Sequence, residues 1–462
     1  LPLPLLFATA LSAAQAADVQ FEGFYRARGR AFETLSLDRE NAANEGLAMY
    51  GDHRLWLAPR LLLSDAVGLQ LEFRGLDGVN WGAEPEPYVA FVPRSPFVLE
   101  QGLGAPTSGT DEETPLLDFT LWRVYGDVDT KIGRFSFGRM PLHWGQGLWL
   151  NDGTSLDREF VDHGDTSDRV QWEYLVEEQV FVRAGVDVPA ERFVGQGDDT
   201  LAVDLAAAYR TEDLRAGLLA RLDHTGPLSE DADSLNVVTL DISGEATLGR
   251  IHAGAEIVGQ FGGGDQEELG LNDATITAFG GVLDADLTLD AFTARVQVGG
   301  ATGDGTVNDA SIKTFTFDRD YSVGMFLFEQ PMPVLATPGA AANESNGGRD
   351  YSSTLTGNTL SNALFVKPTI SRAIVDGLTV SGSWLGARTA KAPELNGENQ
   401  SRGYGNEFQL GLRYDRVEHF ALDFRAGAFL PGSVYSVGDN GVDLTGFDDT
   451  VFGAQLGGRI EF

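Results

Sequence analysis

Stretch after stretch of this chain alternates apolar with polar side chains, and no apolar run approaches the ~20 residues that a membrane helix needs. In Val19–Ala31, VQFEGFYRARGRA, residues Val19, Phe21, Tyr25, Ala27 and Ala31 fall on one face, while Gln20, Glu22, Arg26, Arg28 and Arg30 fall on the other. The same period sets Leu55, Leu57, Leu61 and Leu63 against Arg54 and Arg60, and Leu69, Leu71 and Phe73 against Gln70, Glu72 and Arg74. A period of two belongs to strands with one apolar and one polar face. The spacing predicts eighteen strands, near 19–31, 54–63, 69–74, 116–127, 130–139, 168–175, 180–188, 201–210, 214–223, 235–246, 250–261, 274–283, 288–300, 361–372, 377–387, 404–415, 420–430 and 451–462. In 116–127, Arg123 falls in register with Leu117, Phe119, Leu121 and Tyr125, which points to a bulge or a shifted boundary.

The connections settle the class. Every even-numbered strand is followed by a short turn such as 64–67, 211–213, 247–249 or 416–419, and every odd-numbered one by a longer loop such as 32–51, 76–115, 140–167, 301–360 or 431–450. A soluble sandwich has no reason to segregate its loops by length. The expected fold is all-β: a transmembrane antiparallel β-barrel of about eighteen strands, with short periplasmic turns and long acidic extracellular loops. Closure should join the first strand, near Val19, to the last, near Ile460, because an open edge in lipid strands backbone groups without partners.

Composition narrows the partners. The net charge of −35 excludes the basic footprint of a nucleic-acid binder, and most of it falls in the long loops. Acidic loops suit lipopolysaccharide, whose phosphates they meet through bridging divalent cations. A dedicated calcium site is the alternative, its densest candidate being Asp439, Asn440, Asp443, Asp448 and Asp449, without an ordered EF-hand spacing. Cysteine is absent, so thiol catalysis and Cys-ligated metal are excluded. Leu1–Ala16, uncharged and ending Ala14-Gln15-Ala16, reads as the remainder of a signal peptide, the alternative being a buried N-terminal segment. The barrel is then 17–462. The last strand, VFGAQLGGRIEF, puts Phe452, Ala454, Leu456, Ile460 and Phe462 on one face. A terminal aromatic strand of this kind resembles the signal read by the barrel-assembly machinery, which implies the outer membrane of a Gram-negative bacterium, with its lipid as a partner.

Between two strands lies the Gly-, Trp- and Asp-rich segment 140–167, too irregular for strand or helix. It is the candidate constriction loop: folded inward, His143, Trp144, Trp149, Asp152, Asp157, Asp162, Asp165 and Asp168 would face lumenal arginines across a narrow polar eyelet. The candidate pore-lining residues are Arg26, Arg28, Arg30, Arg54, Arg60, Arg74, Arg169 and Arg183, all in the water-facing register. Lysine is limited to Lys131, Lys313, Lys367 and Lys391, so 33 − 4 = 29 basic residues are arginine, whose planar fork suits paired hydrogen bonds to carboxylates. Glu22, Asp52, Glu72, Glu173, Asp187, Asp204, Asp241, Glu245, Glu256 and Glu407 share that register. A balanced wall stiffened by Arg–carboxylate ladders therefore stands beside an anion-selective one.

Two stretches carry a family resemblance. Val128–Gly147 with GRMPLHWGQG, and 301–317 with ATGDG, resemble the alginate-export type of outer-membrane channel. Trp144–Arg169 and FDRDYSVGMFLFE (317–329) are similar to a group of uncharacterised deltaproteobacterial outer-membrane channel proteins. The resemblance implies eighteen strands and passive passage of a hydrophilic solute, anionic saccharides and polysaccharide among the candidates, through an arginine-lined pore.

Six histidines bear on the question of catalysis. His143 and His163 sit among the loop aspartates, where a hydrolase base or metal pair could form. No His pair has a ligand spacing, however, and no Gly-x-Ser-x-Gly elbow occurs. Loop structure is the simpler use of these residues, with Asp and Asn bonding nearby amides. No catalytic residue, metal ligand or cofactor is therefore assigned, and the chain reads as a channel rather than an enzyme. The alternatives are a closed barrel acting as a surface anchor or adhesion platform, and a barrel enzyme with its site in 140–167.

Overall fold

The computed structural model describes residues 18–35, 47–76, 79–82, 119–153, 164–189, 200–226, 234–266, 271–304, 310–318, 320–330, 359–392, 394–395, 398–399, 402–436 and 448–462. The signal-peptide reading of 1–16 lies outside them, as do Asp439, Asn440 and Asp443 of the calcium alternative. Among the described residues, eighteen strands form one antiparallel wall: β1 (Asp18–Glu33), β2 (Leu47–Ser64), β3 (Val67–Gly75), β4 (Phe119–Thr130), β5 (Gly133–Pro141), β6 (Thr166–Val176), β7 (Val180–Pro189), β8 (Thr200–Arg210), β9 (Leu214–Thr225), β10 (Leu235–Leu248), β11 (Ile251–Gln266), β12 (Leu271–Leu289), β13 (Phe292–Ala301), β14 (Ala363–Val375), β15 (Leu378–Thr389), β16 (Gly403–Tyr414), β17 (Phe420–Pro431) and β18 (Val451–Glu461). Each strand expected from the alternation is present. Two shorter pieces join the sheet, Val79–Gly82 on β2 and Ser311–Ile312 running parallel to β12.

The wall closes because β1 pairs with both β2 and β18. Ile460 stands opposite Tyr25 rather than Val19, the stagger expected of strands tilted in a barrel. Gly23 and Phe462 exchange backbone hydrogen bonds of 2.9 and 3.0 Å, and Phe21 stacks on Phe462 at 5.9 Å. With no edge left open, the wall can stand in hydrocarbon. Its outer face is apolar: Val170, Leu205, Ile242, Ile257, Ile370 and Leu410 are all exposed. The intervening positions bury arginine and carboxylate against the interior.

The expected irregularity in β4 is a bulge. Glu72 pairs with Arg123, but Phe73 pairs with Leu121, so Trp122 has no partner on β3. One extra residue reverses the faces. Phe119 and Leu121 consequently point outward, while Arg123, only 3% exposed, points inward. Arg74 stacks on the Trp122 ring at 4.1 Å.

Glycine makes room for what fills the interior. A Cβ at Gly453 would come within 2.4 Å of Phe32 and 2.9 Å of Phe326, and one at Gly280 within 2.3 Å of Phe315. Replacing Gly453 with valine should therefore push Phe326 from its seat and cost about 1–3 kcal/mol, the usual penalty of overpacking. The unfolding midpoint in denaturant measures it, and an unchanged midpoint would mean that Phe326 is not seated there.

Candidate functional site: two inward loops and an arginine-faced wall

The segment after β5 turns into the barrel. Gly145 and Gly147 adopt φ of 60° and 79°, a left-handed region open to glycine at little cost. This coiling turns the N–H groups of Gln146 and Leu148 toward one carboxylate, Glu256 on β11, with Leu148 donating at 3.2 Å. A Cβ on Gly145 would lie 2.5 Å from a Glu256 oxygen, so the same glycine also permits the approach. The far side of the loop is tied by Arg123, whose Nη2 donates to the carbonyls of Asp152 (2.7 Å) and Asp165 (3.0 Å) while Nη1 donates to Glu72 at 2.8 Å. The Asp165 carboxylate accepts the Asn151 N–H at 2.8 Å.

A second segment, 310–318 and 320–330, enters beside it. Glu407 on β16 accepts the N–H groups of Met325, Phe326 and Leu327 at 2.6, 3.2 and 2.9 Å. Lys367 on β14 donates to the Val323 carbonyl at 2.6 Å. The loops also hold each other: Asp318 N–H donates to Leu148 O at 2.7 Å, and Gly164 N–H donates to the Asp320 carboxylate. Their apolar side chains form one buried cluster, in which Leu142, Leu148, Trp149 and Leu150 meet Phe315, Phe317, Val323, Phe326 and Leu327. Each loop thus binds the wall through a buried carboxylate that accepts backbone N–H groups, so the backbone is satisfied away from water. Tyr321 in the second loop accepts from Gln297 at 3.0 Å. Burial, with the charges of Glu256 and Asp284, raises its phenol well above the usual range and keeps it protonated.

The candidate arginines all lie on the inner wall, from β1 to β7. Arg28 donates to Asp52 at 2.8 Å, with Arg26 and Arg30 at 3.6 and 3.7 Å from the same carboxylate. Arg54 stands opposite Arg26 in the ladder, and Arg60 reaches Asp127 at 3.1 Å. Arg74 and Arg123 share Glu72. Arg169 and Arg221 share Asp187, Arg169 also takes Asp204, and Arg183 lies 3.5 Å from Asp204. Arg–carboxylate ladders are therefore present along the wall. Arg123 and Arg221 were not among the candidates. For Arg123 the signal was its misfit in the alternation; for Arg221 it was its place in register with Leu219 and Asp223.

The constriction-loop candidates divide. His143 is partly buried in the first loop, its Nδ1 3.4 Å from the Asp152 carboxylate. Trp144 and Trp149 are both buried in the apolar cluster, and Trp144 also packs under Arg183, 5.5 Å from ring centre to guanidinium carbon. Asp157 and Asp162 lie outside the described residues. Asp168 is a correction: β6 has already begun at Thr166, so Ser167 and Arg169 point inward and Asp168 points out, bonded by Arg139 through both carboxylate oxygens at 2.9 and 2.7 Å. The polar eyelet is a second correction. The inner parts of the loops are apolar: Leu148, Trp149 and Leu150 pack in one cluster with Phe315, Phe317, Val323, Phe326 and Leu327 and with the wall, rather than against arginines.

On the short-turn side of the first loop lies a cavity of about 810 Å³, lined among others by Arg134, Glu173, Arg183, Arg215, Glu245 and Trp144. That size falls within the ~300–1,000 Å³ of small-solute sites. The wall charges there are of both signs.

No protein-family model matches the sequence, and no curated protein matches it. Among solved structures, OccK2 (OpdF) of Pseudomonas aeruginosa matches with a TM-score of 0.53 at 11% identity, covering 96% of this chain and 98% of that one. The same protein in complex with glucuronate matches with a TM-score of 0.51 at 12% identity, covering 97% and 99%. A BenF-like porin from Pseudomonas fluorescens Pf-5 gives 0.53 at 11% identity, covering 96% and 98%. At these identities the likeness carries the fold alone: this chain is a closed eighteen-stranded antiparallel β-barrel of the kind found in outer-membrane porins.

Proposed function

We propose that this protein is a passive outer-membrane channel for small hydrophilic solutes, with carboxylated saccharides as the preferred class. The observation that carries the reading is the file of guanidinium groups along the inner wall from Arg26 to Arg183, interleaved with wall carboxylates and leading past the first loop to the 810 Å³ cavity. A guanidinium fork binds carboxylate oxygens in pairs, and exchange between successive forks lets a bound acid move on. Glucuronate bound to OccK2 belongs to the same chemical class. The alginate-export resemblance of GRMPLHWGQG falls on the inward first loop, which agrees with a role in passage rather than in surface display. No side-chain set with a nucleophile and base is invoked, and the outer apolar belt faces lipid, with the acidic long loops toward lipopolysaccharide.

The test is ion preference and block. Wild-type protein in a planar bilayer with a KCl gradient should give a reversal potential on the anion side, and glucuronate should interrupt the current. Replacing Arg26, Arg28 and Arg54 together with alanine should move the reversal potential toward cations, because pore charge acts by drawing counter-ions. An unchanged potential would make those arginines wall braces and remove the anion reading. The apolar packing of the loops favours a second reading, a closed barrel serving as a surface anchor, which predicts no conductance at all.

A further inference from the structure

Almost every buried carboxylate of the described wall has a basic group beside it: Asp52 has Arg28, Glu72 has Arg123, Asp187 has Arg221 and Glu407 has Lys367. Asp241 on β10 and Glu256 on β11 break the pattern. They lie diagonally across the ladder on the inner face, Asp241 opposite Val258 and Glu256 opposite Ser243, both fully buried, and no arginine or lysine bonds to either among the described residues. The nearest base in the ladder, Arg221, stands opposite Thr239 on β9, but its Nε, Nη1 and Nη2 all donate away, to Asp223 and Asp187.

The same patch holds further unpartnered oxygens. Thr239 pairs with Gln260 across the ladder, two residues from Asp241 on the inner face. Thr239, Asp241 and Gln260 are all 0% exposed. Among the described residues the Thr239 hydroxyl, both Asp241 oxygens and both amide atoms of Gln260 lack a hydrogen-bond partner. Buried polar atoms without partners are rare in folded proteins, and three residues of them on adjoining strands, beside Glu256, call for a ligand. A proton shared by the two acids would neutralise one charge, yet would leave an Asp241 oxygen, Thr239 and Gln260 unsatisfied. A hard divalent cation answers both charges and takes neutral oxygens as well.

We propose that Asp241, Glu256, Gln260 and Thr239 bind a divalent cation of the calcium type inside the barrel wall. The patch holds only two acids, so Gln260 and Thr239 oxygens, with water, complete the coordination. Glu256 already holds the N–H groups of Gln146 and Leu148, and a cation on its carboxylate fixes the group that anchors the first loop. Cation binding and the seating of that loop are therefore linked.

The protein, folded in detergent, would be stripped with EDTA, equilibrated with CaCl₂, desalted, and analysed for bound calcium and for its thermal unfolding midpoint. Wild type should retain calcium and melt higher with it than in EDTA. Asp241→Asn should lose both effects, and Thr239→Val or Gln260→Ala should weaken calcium affinity by about tenfold or more. The milder pair serves if the asparagine variant does not fold. Equal calcium retention by all variants would place the ion on the acidic loops and overturn the proposal. So would a wild type indifferent to calcium, with Asp241→Asn melting higher than wild type in EDTA, the mark of two acids sharing a proton.

Discussion

Replacing Glu407 with alanine is expected to destabilise the folded barrel by about 3–5 kcal/mol and to release the second loop from the wall. The estimate follows from what the carboxylate does. It accepts three backbone N–H groups at 2.6, 3.2 and 2.9 Å, each of which costs ~1–3 kcal/mol when left buried without a partner. Part of that cost is recovered because lumenal water can reach a loosened loop. Lys367 adds to it, losing a carboxylate that offsets its buried charge. Glu407→Gln keeps one acceptor oxygen and should fall between the two. Denaturant unfolding reports the energy, and limited proteolysis within 320–330 reports the release. A variant with wild-type stability and a protected loop would show that the loop is held by its apolar packing alone.

Replacing Arg123 with alanine should cost about 3–5 kcal/mol, the range found when one member of a buried ion pair is removed. The guanidinium ties three things together: the Glu72 carboxylate and the carbonyls of Asp152 and Asp165. Truncation leaves Arg74 as the remaining arginine on Glu72 and frees the far end of the first loop. The control is Arg139→Ala. Arg139 makes a two-bond pair with Asp168 on the outer face at the long-loop end of β5 and β6, where that carboxylate is half exposed, and a pair reached by water contributes little, about 0–1 kcal/mol. Equal losses in the two variants would contradict the structural role given to Arg123.

The contrast between these arginines shows how far the sequence could be read. Alternation located all eighteen strands, because each face of a barrel wall meets one solvent and a side-chain period of two records it. It also assigned Glu256 and Glu407 to the lumen and flagged Arg123 by its misfit. What it could not supply was the partner of each lumenal group. Glu256 and Glu407 look like pore-lining acids, yet they bond backbone N–H groups of loops far away in sequence, which carry no side-chain signature. Asp168 was misplaced because the strand begins two residues before it, at Thr166, so Asp168 lies within the strand and on the outer face beside inward Arg169 rather than in the loop. The second loop was equally hidden. Its GMFLF run reads as apolar but has no period, and only the glycines opposite it, such as Gly453 and Gly280, record that something large sits against the wall.

Single-channel conductance of the purified protein in a planar bilayer, wild type beside a Glu407→Ala, Glu256→Ala double variant, bears most directly on the claim that two inward loops throttle a passive channel. The expected result is a small, steady conductance in the wild type that rises several-fold in the double variant while heat-modifiable migration on gels shows the barrel still assembled. Equal conductance in both would contradict the throttle. No conductance in either would mean that the barrel is closed by something other than these loops and would favour a surface anchor.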